Sequence, residues 1–329
     1  MYNSTMDEYP MTFDEFVKSF STEEQCRDYL VKLRWPDGFV CPKCGSKESW
    51  PINGKLYECR TCGRQTSVIA GTIFQDTRNP LKTWFTAIWW ITTQKYGASA
   101  EGLQQILGLS SYRTAWTWLH KIRKAMVRCD RSKLSGIVEV DETYIGGEEH
   151  SASTGRGTGN KVLVAVAVEL IKPTKGSKTG LKIPGRVRLH VIEDASTDSL
   201  KPFVIDNIEK GSEVITDGWS GYTFLPKSGY SRTIYVQSSS KKAKSSTSSG
   251  DEMLPHVHLI ISLVKRWLLG THQGAVSDKH MQAYLEEYTF RFNRRNADQR
   301  GLLFYRLLEG AVNIPPYTYN DIVRSDNDF

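Results

Sequence analysis

The chain has 329 residues, 39% of them hydrophobic, with 9 Trp, 12 Phe and 15 Tyr; this supports a packed core, excludes a mostly disordered chain and points to two or three domains. No run approaches the ~20 consecutive apolar residues that span a bilayer, and the acidic start MYNSTMDEYPMTFDEF lacks the apolar stretch of a secretory signal, so a soluble cytoplasmic protein is expected. The net charge of +7 is local: between Leu109 and Gly136 stand Arg113, Lys121, Arg123, Lys124, Arg128, Arg131 and Lys133 against Asp130 alone, a concentration suited to nucleic acid, although a solvated helix face would carry it too.

Residues 12–35 predict a short amphipathic helical region with an internal start at Ser21-Thr22-Glu23-Glu24, and Pro36-Asp37-Gly38 is a turn. Cys41-Pro42-Lys43-Cys44-Gly45 and Cys59-Arg60-Thr61-Cys62-Gly63 follow, with 14 residues between the pairs. Thiolates separated by two residues can grip one tetrahedral ion, and the Gly after each pair permits the turn that aims backbone N–H groups at sulfur. A redox dithiol needs only one pair, so Cys41, Cys44, Cys59 and Cys62 predict a structural zinc with no open coordination position. Cys26 and Cys129 lie outside the pattern and read as ordinary thiols.

From Pro80, PLKTWFTAIWWITTQ reads as a core helix through Trp84, Phe85, Trp89 and Trp90. Next come a helix from Ala100 to Leu107, a break at Gly108 and a second helix from Ser110 or Ser111, a helix-turn-helix pattern. The second helix carries Arg113, Trp116, Trp118, His120 and Lys121, and with Arg123 and Lys124 it is the expected DNA-contacting surface.

The character changes at Gly136 to β-branched runs: IVEVDETYIGG, KVLVAVAVEL and RVRLHVIE. A helix over 199–211, a strand in EVITDGWSGY, another in RTIYVQ, a polar low-complexity loop over 238–251 and two helices near 255–270 and 277–295 complete an α/β domain with a mixed sheet. Asp141 sits inside an apolar strand, where an acid is costly unless paired, hydrogen-bonded or bound to metal. Asp217 ends another strand. Strand-borne carboxylates of this kind can hold two Mg²⁺ ions for phosphoryl transfer, although Asp217-Gly218 alone reads equally as a turn cap. Downstream, His258, Ser262 and Lys265 share one helix face. Strand alternation puts Glu139 on the face of Asp141 and Glu142 on the other.

The order of zinc ribbon, helix-turn-helix, VDETYIGG, TDGWSGY, SLVKRWLLGTHQGAVS and YLEEYTFRFNRR resembles the DDE-type transposases of bacterial insertion sequences, in particular the insertion-sequence 1595 family and its ISXO-like branch, over about residues 12–312. The resemblance implies a multidomain chain: an N-terminal helical region (1–35), a zinc ribbon (36–75), a helix-turn-helix region (80–132), a ribonuclease-H-like catalytic domain (136–312) and a tail (313–329). It maps the metal-binding residues onto Asp141, Asp217 and His258, with 40 residues between the last two, and a following basic residue onto Lys265. His258 departs from the commonest three-carboxylate pattern, and Glu286 and Glu287 compete for its role. The implied activity is binding of the element's terminal repeats, cleavage at its ends and joining of the 3′-OH to target DNA, with Mg²⁺ or Mn²⁺ as cofactor. The implied partners are double-stranded DNA, contacted also by Arg291, Arg294 and Arg295, and at least one further copy of the chain. The rival readings are a catalytically inactive DNA-binding regulator and a nuclease built on the same core.

Overall fold

The computed structural model describes residues 9–127, 131–146, 161–173, 182–235, 254–274, 276–297 and 299–324. Arg128, Cys129, Asp130 and the low-complexity segment 238–251 therefore lie outside the described residues. The chain forms two units, one of Met1–Arg128 with Asn296–Asp328, the other Cys129–Arg295.

The first unit begins with α1 (Phe13–Ser19) and α2 (Glu23–Arg34). The expected start of α2 is a capping box: Thr22 Oγ1 accepts from Gln25 N–H, and Gln25 Oε1 accepts from Thr22 N–H. Strands β1 (Ser49–Ile52), β2 (Leu56–Cys59) and β3 (Gln65–Ser67) form an antiparallel ribbon in that order. Helices α3 (Leu81–Thr93), α4 (Ala100–Leu107) and α5 (Tyr112–Met126) follow. Gly108 ends α4 at φ 61°, a left-handed cap that a side chain would strain, and the chain turns there into α5.

The second unit is a five-stranded sheet in the order β6-β5-β4-β7-β8, built from β4 (Ile137–Gly146), β5 (Lys161–Ile171), β6 (Ile183–Ile192), β7 (Glu213–Thr216) and β8 (Ser231–Ile234). The first three pair antiparallel, whereas β7 runs parallel to β4 and β8 parallel to β7. Alternation sorts the side chains. Val138, Val140, Ala165 and Ala167 face α6 (Thr197–Asn207), whose Leu200, Phe203 and Val204 are buried against them. Val164, Val166, Val168 and Leu189 face α7 (Pro255–His272) and α8 (Met281–Asn293). Helix α8 also covers the edge strand: Gln282 Oε1 accepts from Val191 N–H, and Asn293 both accepts from Val187 N–H and donates to its carbonyl.

The chain then returns to the first unit with α9 (Arg300–Asn313) and α10 (Tyr319–Arg324). The sequence reading carried the catalytic domain through residue 312, but α9 packs elsewhere. Its Phe304 ring lies 5.5–5.7 Å from the rings of Phe16, Phe20, Phe85 and Trp89, an aromatic nest supplied by the first unit.

Candidate active site

Three side chains of one face of β4 meet α7 in succession. Glu139 reaches the helix start, Asp141 meets His258 (Oδ2 to Nε2, 3.2 Å), and Thr143 Oγ1 accepts from Lys265 Nζ at 2.9 Å. The strand period of two thus supplies 139, 141 and 143, and the helix supplies His258 and Lys265 two turns apart on one side. The parallel register pairs Val138 with Val214 and Glu139 with Ile215. Asp217 follows directly on the end of β7, and its charge is felt at Asp141.

Asp217 does cap its turn, since Oδ1 accepts from Trp219 N–H at 2.9 Å. The two roles are compatible because a carboxylate has a second oxygen. Arg232 steadies this turn from β8, donating to the carbonyls of Asp217 and Trp219 and to Thr216 Oγ1. Burial holds the Asp141 carboxyl above its ordinary value; Asp217 adds to the rise, while Glu142 N–H and His258 oppose it. Glu142 is likewise raised by burial and by both aspartates, against the Tyr222 hydroxyl that donates to it at 2.6 Å from the opposite side of the sheet. Acids held together in this way are relieved by a cation. A nitrogen and an oxygen 3.2 Å apart also suit neighbouring positions on an ion, because donors at about 2.1 Å from it stand about 3 Å from each other. Asp141 and His258 thus stand at a spacing that would suit one ion, whereas Asp141, Asp217 and His258 together are not a set whose donor atoms all lie within 4.8 Å of one another.

The cysteines form a tighter site. Cys41 Sγ lies 3.6 Å from Cys62 Sγ and Cys44 Sγ 3.5 Å from Cys59 Sγ. Among the described residues this is the set of three or more donors whose atoms all lie within 4.8 Å of one another. Sulfurs about 2.3 Å from a tetrahedral zinc stand somewhat under 4 Å apart, so the thiolates fit the ion. Gly45 and Gly63 take the left-handed conformation the spacing requires, at φ 72° and 66°.

Residues 133–293 match the ISXO2-like transposase domain and residues 21–65 the transposase zinc-ribbon domain. The chain belongs to the IS1595 transposase family. It is also 25% identical over 294 residues to the "Uncharacterized protein in transposable element ISH50" of Halobacterium salinarum, a similarity covering 84% of this chain and 92% of that protein. Both the DDE-type domain and the zinc ribbon expected from the sequence are thus present in one chain, and the four cysteines of the transposase ribbon suit a structural zinc. No helix among the described residues is long and apolar enough to cross a membrane.

Within this transposase family member, the basic residues singled out in the sequence divide. Arg123 is only 1% exposed, so it is a core residue of α5 and not a phosphate contact; the expectation for it is corrected by enclosure of the helix. His120 and Trp118 are buried in the same helix, with Trp118 stacked on Trp84 at 3.7 Å. Arg113 is exposed, its guanidinium 5.0 Å from the Tyr319 ring centre, and the Lys124 amine lies 5.7 Å from that of Tyr317. Lys121 is half-buried, and burial pulls its amine below the ordinary value. Arg291 pairs with Glu287 at 2.9 Å, Arg294 lies over Phe290, and Arg295 donates to the carbonyls of Pro184, Gly185 and Phe292. Glu286 pairs with Arg131 at 2.8 Å, so both acids of α8 are buried and paired with arginine. The sequence reading missed the parts played by His256, Tyr222 and Arg232. Pro255, a first-turn residue just before His256, was the signal for where α7 begins.

Proposed function

We propose that this chain is an active transposase that cuts DNA at the ends of its element and joins the freed 3′-OH to target DNA. The order β6-β5-β4-β7-β8, three antiparallel strands followed by two parallel ones, supports a ribonuclease-H-like core. The observation that carries the catalytic reading is the meeting of Asp141 and His258 at 3.2 Å, with Asp217 just past the end of the neighbouring strand and its charge felt at Asp141, inside the matched transposase domain.

Asp141, Asp217 and His258 would hold Mg²⁺ or Mn²⁺, which would supply charge neutralisation for in-line displacement at phosphorus. Imidazole in place of a third carboxylate removes one negative charge and favours the softer Mn²⁺. Lys265, extended from α7 beside Thr143, exchanges that hydroxyl for a phosphate oxygen near the scissile bond. Chain residues thereby work by positioning and charge, in the water-dependent cut and in the attack of the 3′-OH alike. The ion pairs of Glu286 and Glu287 support His258 over either of them as third ligand.

The zinc ribbon and the α4–α5 pair, read as a helix-turn-helix, bind the terminal repeats, with Arg113, Lys121 and Lys124 as backbone contacts and Arg294 and Arg295 serving the catalytic unit. Bringing two ends together takes at least two copies, acting in the cytoplasm where the DNA lies.

The test is incubation of the protein with a duplex bearing the element's own ends, in Mg²⁺ and separately in Mn²⁺, with Asp217→Ala as control. Cleavage followed by joining, absent in the control, supports the transposase. Cleavage without joining marks a nuclease, and binding without cleavage a DNA-binding regulator.

A further inference from the structure

Helix α7 carries His258 but has no cap of its own. Leu254 at its N-cap takes a left-handed conformation at φ 56° and offers no polar side chain, and Pro255 brings no N–H. The first N–H groups of the helix, on His256 and Val257, are donors that need partners. Both find one oxygen of Glu139, across from β4: Oε2 accepts from His256 N–H at 3.0 Å and from Val257 N–H at 2.8 Å. The other oxygen, Oε1, lies 2.7 Å from His256 Nδ1, and His256 Nε2 lies 3.1 Å from the Lys182 carbonyl. Glu139 is 3% exposed. A buried carboxylate at a helix N-terminus is a strong anchor, since aligned peptide dipoles and charge-assisted hydrogen bonds act together.

Glu139 and Asp141 are alternate residues of one strand face, and the two partners they meet on α7 are alternate residues of its first turn. Fixing His256 and Val257 against Glu139 sets both the height and the rotation of that turn, and His258 follows rigidly.

We propose that Glu139 is a positioning residue, a helix cap supplied by the catalytic strand that holds His258 at its approach to Asp141, and is not itself a metal ligand. This rests on the reading of Asp141, Asp217 and His258 as a metal site. The geometry distinguishes a cap from a ligand through one substitution. In Glu139→Gln the amide oxygen still accepts both N–H groups and the amide NH₂ still reaches His256 Nδ1, but the charge is gone.

The experiment measures Mn²⁺ binding to the full chain without DNA, by the loss of the free-ion paramagnetic resonance signal. Glu139→Gln is expected to bind within about threefold of the unmodified chain, and Glu139→Ala to lose about 10–100-fold, as for other groups that orient a ligand. Adding Glu139→Ala to His258→Ala should weaken binding no further than His258→Ala alone, because the cap acts through that imidazole. Should Glu139→Ala fail to fold, Glu139→Asp replaces it: it keeps the charge but is one methylene too short to reach both N–H groups, and weakened binding supports the cap. A Gln variant as weak as Ala, an Asp variant as tight as Glu, or additive losses with His258→Ala overturns the proposal while leaving the metal site standing. No Mn²⁺ binding by the unmodified chain overturns both.

Discussion

Asp141 lies on β4 and Asp217 follows directly on the end of the neighbouring parallel strand β7, where its charge is felt at Asp141. In the metal-free protein, burial and this neighbour hold the Asp141 carboxyl above its ordinary value, so the folded state binds that proton more tightly than the unfolded chain does. The sign follows. The stabilisation is complete below the unfolded carboxyl value, about 3.9, and is lost as pH rises from there through the raised folded value. Asp141→Asn cannot titrate. Its melting temperature should therefore gain on that of the unmodified protein as pH climbs through the window in chelator. Saturating Mn²⁺ at neutral pH should raise the melting temperature of the unmodified protein and leave that of Asp141→Asn nearly unmoved.

Gly310 of α9 lies against the backbone of α5 so closely that a Cβ would stand 2.2 Å from the Ala125 carbonyl oxygen. Neither helix backbone can yield at that spacing without disturbing the aromatic nest around Phe304. Gly310→Ala is expected to destabilise the first unit by about 1–3 kcal/mol despite its better helix propensity. Chemical denaturation measures this. An unchanged midpoint would mean that α9 does not pack on α5 as described.

Zinc content provides a separate check. Native mass spectrometry should find one zinc per chain, lost in Cys44→Ser. Chelation should melt the ribbon first, because its short strands β1–β3 have little apolar core of their own and depend on the metal for their fold. Mn²⁺ binding at Asp141 should survive removal of the ribbon's zinc.

The exposure of α5 divides its basic residues. Arg113→Ala should weaken duplex binding and reduce its salt slope by about one, as expected when one phosphate contact is removed. Arg123→Ala should instead lower the melting temperature, since its side chain is enclosed by the helical core. Binding isotherms at several salt concentrations, read beside thermal melts, separate the two effects.

What could be read from the sequence was what local spacing encodes. Two Cys pairs, each with a Gly behind it, specify a ribbon site because every ligand lies three positions from another. Alternation in IVEVDETYIGG put Glu139 and Asp141 together and Glu142 opposite, and the hydrogen bonds of Glu139 to α7 and of Glu142 to Tyr222 agree. Long-range partners were not legible. Nothing local in RGLLFYRLLEG tells α9 that its Phe304 belongs among Phe16, Phe20 and Phe85 rather than on the sheet it follows. Nor does the charge of Arg123 reveal burial, which depends on helices contributed by distant parts of the chain. Glu139 looked like one more acid near Asp141, because its role depends on a helix more than a hundred residues later that lacks its own cap.

As proposed, Asp141, Asp217 and His258 form one metal-dependent centre for cutting and joining DNA. Strand transfer of a pre-cut element end into plasmid DNA tests it most directly, scored in Mn²⁺ for the unmodified chain and for Asp141→Asn, Asp217→Asn and His258→Ala, with duplex binding measured in the same preparations. The prediction is joined product for the unmodified chain and a loss of at least about a hundredfold in each variant at unchanged DNA affinity. Joining that persists in either aspartate variant, or an unmodified chain that binds ends tightly and never joins them, would contradict it.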